Sequence, residues 1–253
     1  MLKIKNVNAG YEQEIIIKEI NVSFKPNQIT TLIGPNGCGK STLLKTMTKA
    51  IQPKHGDIFL QEQNIKELSL INFAKQVAIL PQIRNIPNTT VETLISHGRF
   101  PYLGFLKRLS NQDREIVDYA MEITGVSNKR HHSLHELSGG ERQKVYIAMT
   151  LAQNTDLIIL DEPTTFLDIN HQFEVLHLIS DLKKKGKTFI MVLHDIQHAL
   201  TYSDEIIVMN HGKIQKIGSP SSLMKSKIID DVFDIQSKIF TEGDRSYYLF
   251  DKR

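Results

Sequence analysis

Residues Gly34 to Ser41 read GPNGCGKS, a glycine-rich octet closed by a lysine and a hydroxyl. The spacing G-x-x-x-x-G-K-[ST] suits the cradling of phosphate oxygens, because glycines let successive backbone N–H groups curl around an anion. Lys40 is placed to reach β- and γ-phosphates, and the Ser41 hydroxyl to ligate Mg²⁺. A second group, LIILDE (Leu157–Glu162), sets two carboxylates at the C-terminal end of an apolar run. In open parallel sheets ligands bind at that end. Asp161 there reads as a Mg²⁺ ligand, and Glu162 as the group that orients and polarises an attacking water. His194 closes another apolar run, Thr188–Leu193, at a strand end open to a γ-phosphate contact. A third group is LSGGERQ (Leu137–Gln143), in which Ser138 and Glu141 form an S-x-x-E capping box. Gly139 and Gly140 are expected to expose N–H groups at that helix start, which makes a second anion site.

These side chains need strands that end, and helices that begin, at one edge. Ile29–Ile33 (ITTLI) reads as a buried strand running into the glycine loop, and Leu43, Leu44, Met47 and Ile51 follow at helical spacing. Gln76–Leu80, Leu157–Leu160 and Thr188–Leu193 read as further strands, and Val175, Ile179 and Leu182 as one face of a helix. Ile206–Met209 and Lys213–Ile217 flank Asn210-His211-Gly212, a hairpin signal. Ser219-Pro220 reads as a helix start, and a last strand is expected near Tyr247–Phe250. Residues 84–150 carry no convincing strand. Ile116, Ala120 and Ile123 there predict an amphipathic helix that Gly125 can end.

The pattern reads as α/β, with a mostly parallel sheet and a mainly helical insert. The whole chain, 1–253, reads as one domain, with 1–83 and 151–253 forming the core and C-terminal tail, and 84–150 the helical subdomain.

Composition sets outer bounds. The 253 residues are 40% hydrophobic and 23% charged, with a formal net charge of +3 and a single cysteine. That excludes a disulfide scaffold, a collagen and a disordered chain. The charge is too small to imply a nucleic-acid partner. No apolar run approaches a membrane span, and the N-terminus lacks the apolar core of a secretory leader.

The ordered set of motifs resembles the ATP-binding-cassette ATPase family, LSGGERQ matching that family's signature segment apart from Glu141. The resemblance covers about Leu2 to Leu223. It implies the fuller fold class, a phosphate-loop NTPase core with a mixed, mainly parallel sheet, an N-terminal antiparallel β region and an inserted helical subdomain. It also implies ATP and Mg²⁺ as ligands, and a homodimer in which the phosphate loop of one copy faces the signature of the other across ATP. The nucleotide contacts it implies are Tyr11 stacking on adenine, Gly34, Pro35, Asn36, Gly37, Cys38, Gly39, Lys40, Ser41 and Thr42 on the phosphates, and Ser138, Gly139, Gly140 and Glu141 from the second copy. Gln82 matches the glutamine that contacts Mg²⁺ and water and senses a permease. With Ser41 and Asp161 it completes the implied Mg²⁺ set, and with Glu162, His194 and Lys40 the catalytic set. Asp168 in TTFLD matches the aspartate that links the two sites, beside a Phe166 where a small residue is more frequent. Cys38 reads either as a reactive thiol or as a tolerated small residue.

A finer resemblance is to the ATPases of iron-siderophore, haem and vitamin B12 importers, carried by SHGRFPYLGFLKRL (Ser96–Leu109), MEITGV and DEPTTFLDINHQ. It implies an ATPase that powers ferric-siderophore import on the cytoplasmic face of the membrane, with integral permease subunits and, indirectly, an extracellular or periplasmic binding protein. A haem or vitamin B12 importer, or a soluble cassette ATPase outside transport, are the alternatives. Phe100, Pro101, Tyr102, Phe105 and Leu106, with Arg99, Lys107 and Arg108 beside them, read either as a docking groove for a partner helix or as core of the helical insert. His131, His132 and His135 lie in a polar stretch, and His194 and His198 are four apart. None has the accompanying ligands of a transition-metal site.

Overall fold

The computed structural model describes residues 1–82, 85–104, 108–242 and 245–253. Its contacts divide the chain into two units, Met1–Lys66 with Ile190–Arg253, and Glu67–Phe189. The sequence-derived border at 83/84 falls on residues outside the described ones, as do Phe105, Leu106 and Lys107 of the apolar cluster.

The chain begins with β1 (Leu2–Ala9) and β2 (Ile17–Ser23), which pair antiparallel. Leu2, Ile4, Val7 and Ala9 are buried, and shifts of register take up the breaks in strict alternation. Next come β3 (Ile29–Ile33), every residue of it buried, and α1 (Lys40–Met47). The helix ends at Met47 with Thr48 as its cap, so Ile51, expected on its apolar face, lies beyond it. Two strands complete the antiparallel layer: β4 (His55–Leu60), which pairs with β1, and β5 (Gln63–Asn64).

The second unit opens with α2 (Leu70–Ala74), β6 (Val77–Leu80) and α3 (Val91–Ser96). Then follow α4 (Asn111–Ile123), α5 (Gly139–Ala152), β7 (Leu157–Asp161) and α6 (Ile169–Lys184). β6 and β7 run parallel, with Val77 opposite Leu157 and Leu80 opposite Leu160. Ser110 and Asp113 close a capping box on α4, and Gly125, at φ 72°, follows its C-cap Thr124. Between α3 and α4, Arg99 is buried and flanks the apolar cluster as expected, its guanidinium 4.0 Å over the Tyr102 ring. Its Nε donates to Asp113 at 2.8 Å and its Nη1 to the Ala152 carbonyl at 2.9 Å, the geometry a buried guanidinium requires. Phe100 is exposed.

The chain returns through β8 (Thr188–Val192), α7 (Ile196–Tyr202), β9 (Glu205–Asn210) and β10 (Lys213–Gly218). β3 pairs parallel with β9, and β9 antiparallel with β10. Their turn places His211 at φ 47° and Gly212 at φ 74°, the left-handed pair a tight hairpin needs. After α8 (Pro220–Lys225), capped by Ser219, and α9 (Ile228–Phe233), a ribbon closes the chain: β11 (Ile235–Glu242) with β12 (Arg245–Lys252). Only the second of these strands was legible beforehand. Among the described residues no helix is long and apolar enough to cross a membrane.

Candidate functional site

The candidate residues fall in both units. Tyr11, Gly34–Thr42 and His194 belong to the first; Gln82, Ser138–Glu141, Asp161, Glu162 and Asp168 belong to the second.

In the first unit, β3 delivers the chain into the glycine loop. Gly39 sits at φ 103°, a left-handed conformation that frees the next residue to start α1. Gly37, at φ 76°, has no atom within 4 Å of where a Cβ would stand, so its side of the loop is open. Among the described residues no side chain caps α1, and its first turn holds no acid. Its leading N–H groups are therefore left to solvent or a ligand. Lys40 is buried, and its Nζ donates to the carbonyls of Gly34 at 2.7 Å and Pro35 at 3.0 Å. The ammonium thus lies folded over the loop that it would share with an anion. Cys38 is buried, its Sγ 3.9 Å from that Nζ, and Ser41 faces solvent. Tyr11 is half-exposed, with Lys45 Nζ 5.7 Å above its ring and donating to its hydroxyl at 3.3 Å. His194 is exposed just after β8, while His198, one turn on, is buried in α7.

In the second unit, Asp161 is the last residue of β7 and Glu162 the first beyond it. Glu162 holds φ 53°, a backbone state an ordinary side chain seldom occupies and one that clusters at functional sites. Its Oε2 accepts from Gln82 Nε2 at 2.7 Å and from the Thr165 hydroxyl at 3.0 Å. The structure thus brings Gln82 and Glu162 together, and adds Thr165, which the sequence did not single out.

The signature forms the predicted capping box at the head of α5. Glu141 N–H donates to Ser138 Oγ at 3.2 Å, and Ser138 N–H to Glu141 Oε2 at 2.9 Å. The Ser138 N–H, with help from Lys129 at 3.3 Å, holds the Glu141 carboxyl below the usual glutamate range. Gly139 is exposed, as expected, and a Cβ there would meet nothing closer than 3.9 Å. Gly140 departs from expectation. It is buried beneath the imidazole of His171, which a Cβ at 140 would strike at 1.9 Å. Asp168 caps α6, accepting the His171 N–H at 3.0 Å and facing its Nδ1 at 2.7 Å; these bonds lower its carboxyl below the ordinary aspartate range. Beside Gly139 opens a cleft of about 500 Å³, also lined by Arg142, Tyr146, Thr165, Phe166 and Leu167. The Tyr146 hydroxyl is buried there without a hydrogen-bond partner among the described residues, and burial pushes its titration upward. Phe166 is 86% exposed at φ 65°, a strained and solvated aromatic next to Asp168.

His131 lies 3.8 Å from Glu92 in a surface turn. Among the described residues no three metal-ligating side chains converge.

Residues 17–165 match the model of the ABC transporter family. The chain belongs to that family. Its ABC transporter relatives include the iron(3+)-hydroxamate import ATP-binding protein FhuC of Bacillus subtilis, 42% identical over 95% of this chain and 90% of that protein. The ferric enterobactin transport ATP-binding protein FepC of Escherichia coli is 36% identical over 95% of this chain and 90% of its own. Among solved structures, cbiO1 from Clostridium perfringens, part of the ABC transporter complex cbiONQ, superposes with a TM-score of 0.80 at 28% identity, covering 91% of this chain and 92% of that one. The ATP-binding cassette MJ0796, in a dimeric post-hydrolysis state bound to ADP and Pi, gives 0.75 at 27% identity, over 87% and 99%. The fold is therefore the α/β phosphate-loop NTPase expected, and the chain binds nucleotide as a cassette ATPase.

Proposed function

We propose that this chain is the ATP-hydrolysing subunit that powers import of a ferric siderophore through a separate membrane permease. The observation that carries the reading is the pairing of a complete cassette motif set with near-full-length similarity to import ATP-binding proteins for iron chelates. ATP is the substrate. Tyr11 stacks on the adenine, and the loop Gly34–Thr42 takes the phosphates, Lys40 exchanging its two carbonyl partners for phosphate oxygens.

Hydrolysis needs a base. Glu162 takes the proton of a water that attacks the γ-phosphorus, once its Oε2 is released by Gln82. Lys40 and His194 stabilise the charge that develops on the phosphoryl oxygens. The remaining donors come from Ser138 and Gly139 of a second copy, with Glu141 and the buried Gly140 holding that helix start in place. Apolar exposure at Phe166 and Ile169, on either side of Asp168, supports self-association at that face. The oxygen-only set of Ser41, Asp161 and Gln82 suits a hard divalent cation and would hold Mg²⁺, whose chemistry there is to neutralise phosphate charge.

The homodimer works at the cytoplasmic face of the membrane, peripheral through the permease, with an extracellular or periplasmic protein presenting the chelate. Gln82 relays closure and reopening to the permease. Phe100 and Tyr102, both exposed, with Arg108 form part of that docking face.

Glu162→Gln is expected to cut ATP turnover by about 10²–10⁴ while ATP binding persists. Wild-type turnover in this variant would place the base elsewhere. For the cargo, a strain lacking this chain should lose uptake of radioiron presented as a siderophore and keep uptake of haem and cobalamin. The opposite pattern would reassign it.

A further inference from the structure

Gly140 has an ordinary helical backbone, so no left-handed conformation explains the glycine. What excludes a side chain is the His171 ring: an added Cβ would stand 1.9 Å from Cδ2 and 2.6 Å from Nε2. The opposite edge of that ring meets Asp168, with Nδ1 2.7 Å from Oδ2. A carboxylate only accepts, so Nδ1 carries the proton and the ring is held in one orientation. Asp168 is itself fixed as the N-cap of α6 through the His171 N–H. The imidazole therefore bridges the cap of one helix and the second residue of another.

Neighbouring ties run the same way. Gln143 Nε2 donates to the Pro163 carbonyl at 2.7 Å, and Lys144 meets Glu174 at 2.6 Å. Gln172 Nε2 donates to the Leu167 carbonyl at 2.9 Å. Among the described residues, the three atoms nearest the place of a Cβ on Gly140 all belong to the His171 ring. Ser138 and Gly139 remain exposed, and a Cβ added at Gly139 would find room.

We propose that His171 is a positioning residue: held by Asp168 and seated on Gly140, its ring sets the angle at which the head of α5 presents Ser138 and Gly139 to the triphosphate on a second copy. This rests on the shared-nucleotide dimer of the preceding section and adds the group that aims one half of it. Removing the ring leaves a gap beneath Gly140 that the helix head can tilt into. An ångström of misplacement at a phosphoryl-transfer site is worth up to about 10²-fold.

The test uses the full chain with and without Glu162→Gln, which lets an ATP-loaded dimer accumulate. In His171→Ala, kcat is expected to fall about tenfold with KM for ATP within about twofold. In the Glu162→Gln background, the ATP concentration for half-dimerisation by sedimentation should rise about tenfold, while binding of a fluorescent ATP analogue to the monomer is unchanged. His171→Asn keeps an N–H where Nδ1 stood and should recover most of both losses. Wild-type kcat and dimerisation in His171→Ala would overturn the proposal. So would a parallel loss of nucleotide binding, dimer and melting temperature, since that marks a structural role alone. Ser138→Arg, run beside it, separates the layers. If that variant dimerises and turns over normally, the shared-nucleotide reading fails. If it is dead while His171→Ala is normal, only the positioning role fails.

Discussion

The chain builds two glycine-marked helix starts, and they are prepared for an anion in different ways. The head of α1 has no side-chain cap and no acid in its first turn, and it carries a lysine folded onto the loop carbonyls. The head of α5 is already capped: Ser138 and Glu141 satisfy each other's N–H groups, and an ionised carboxylate sits at the positive end of the helix. The first is an open nest with its own cation and can hold a polyanion unaided. The second has spent part of its donor capacity and has a negative neighbour, so alone it is a poor anion site. A capped start makes sense as the weaker jaw of a clamp, closing on a phosphate that something else already holds.

Substitutions test that contrast. The largest effect is expected from Ser138→Arg: turnover about 10³-fold lower, with ATP binding to the monomer within about twofold, read by rate assay and nucleotide titration. Equal losses in both would make the two heads alike. Lys40→Ala should act the opposite way, raising the ATP concentration for half-occupancy by about 10²-fold through the loss of two charge-assisted bonds. The two signature glycines should then separate. Gly140→Ala forces a methyl into the His171 ring and should cost about 1–3 kcal/mol in a denaturant melt. Gly139→Ala fits its surroundings and should leave the melt unchanged while lowering turnover about tenfold.

The smallest effect is at the cap. Glu141→Gln should cost about 1 kcal/mol or less. The sign follows from the depressed carboxyl. The ionised cap contributes above the unfolded-state value, and that contribution fades as pH falls through the lower folded value. Wild type and variant should therefore melt apart near neutral pH and converge in acid. A gap that widened in acid would mean the cap acts as a neutral hydrogen bond.

Much of this was legible because it is local. GPNGCGKS between an apolar run and a helical repeat can be read from eight residues and their flanks, and the capping box from four. Strands such as ITTLI and TFIMV announce themselves as short β-branched and apolar runs, because burial on both faces leaves no place for charged residues. β11 escaped notice because Gln236, Lys238 and Thr241 break its apolar pattern, and only its pairing with β12 makes it a strand. Arg99 was legible as a cation beside an aromatic cluster, and it does stack over Tyr102; its bonds to Asp113 and the Ala152 carbonyl were not, because they join residues 14 and 53 positions apart.

Residue order alone gave the family, the glycine loop that opens α1 and the capped signature, since each depends on groups a few bonds apart. Folding decided which groups meet across long stretches of chain: that Gln82 holds Glu162, that Tyr146 lies buried beside a cleft, and that His171 rather than empty space fills the place where Gly140 lacks a side chain. The first and last of these join residues 80 and 31 positions apart. No local propensity encodes them, because they arise only when packing has brought separate helices and strands within a few ångströms.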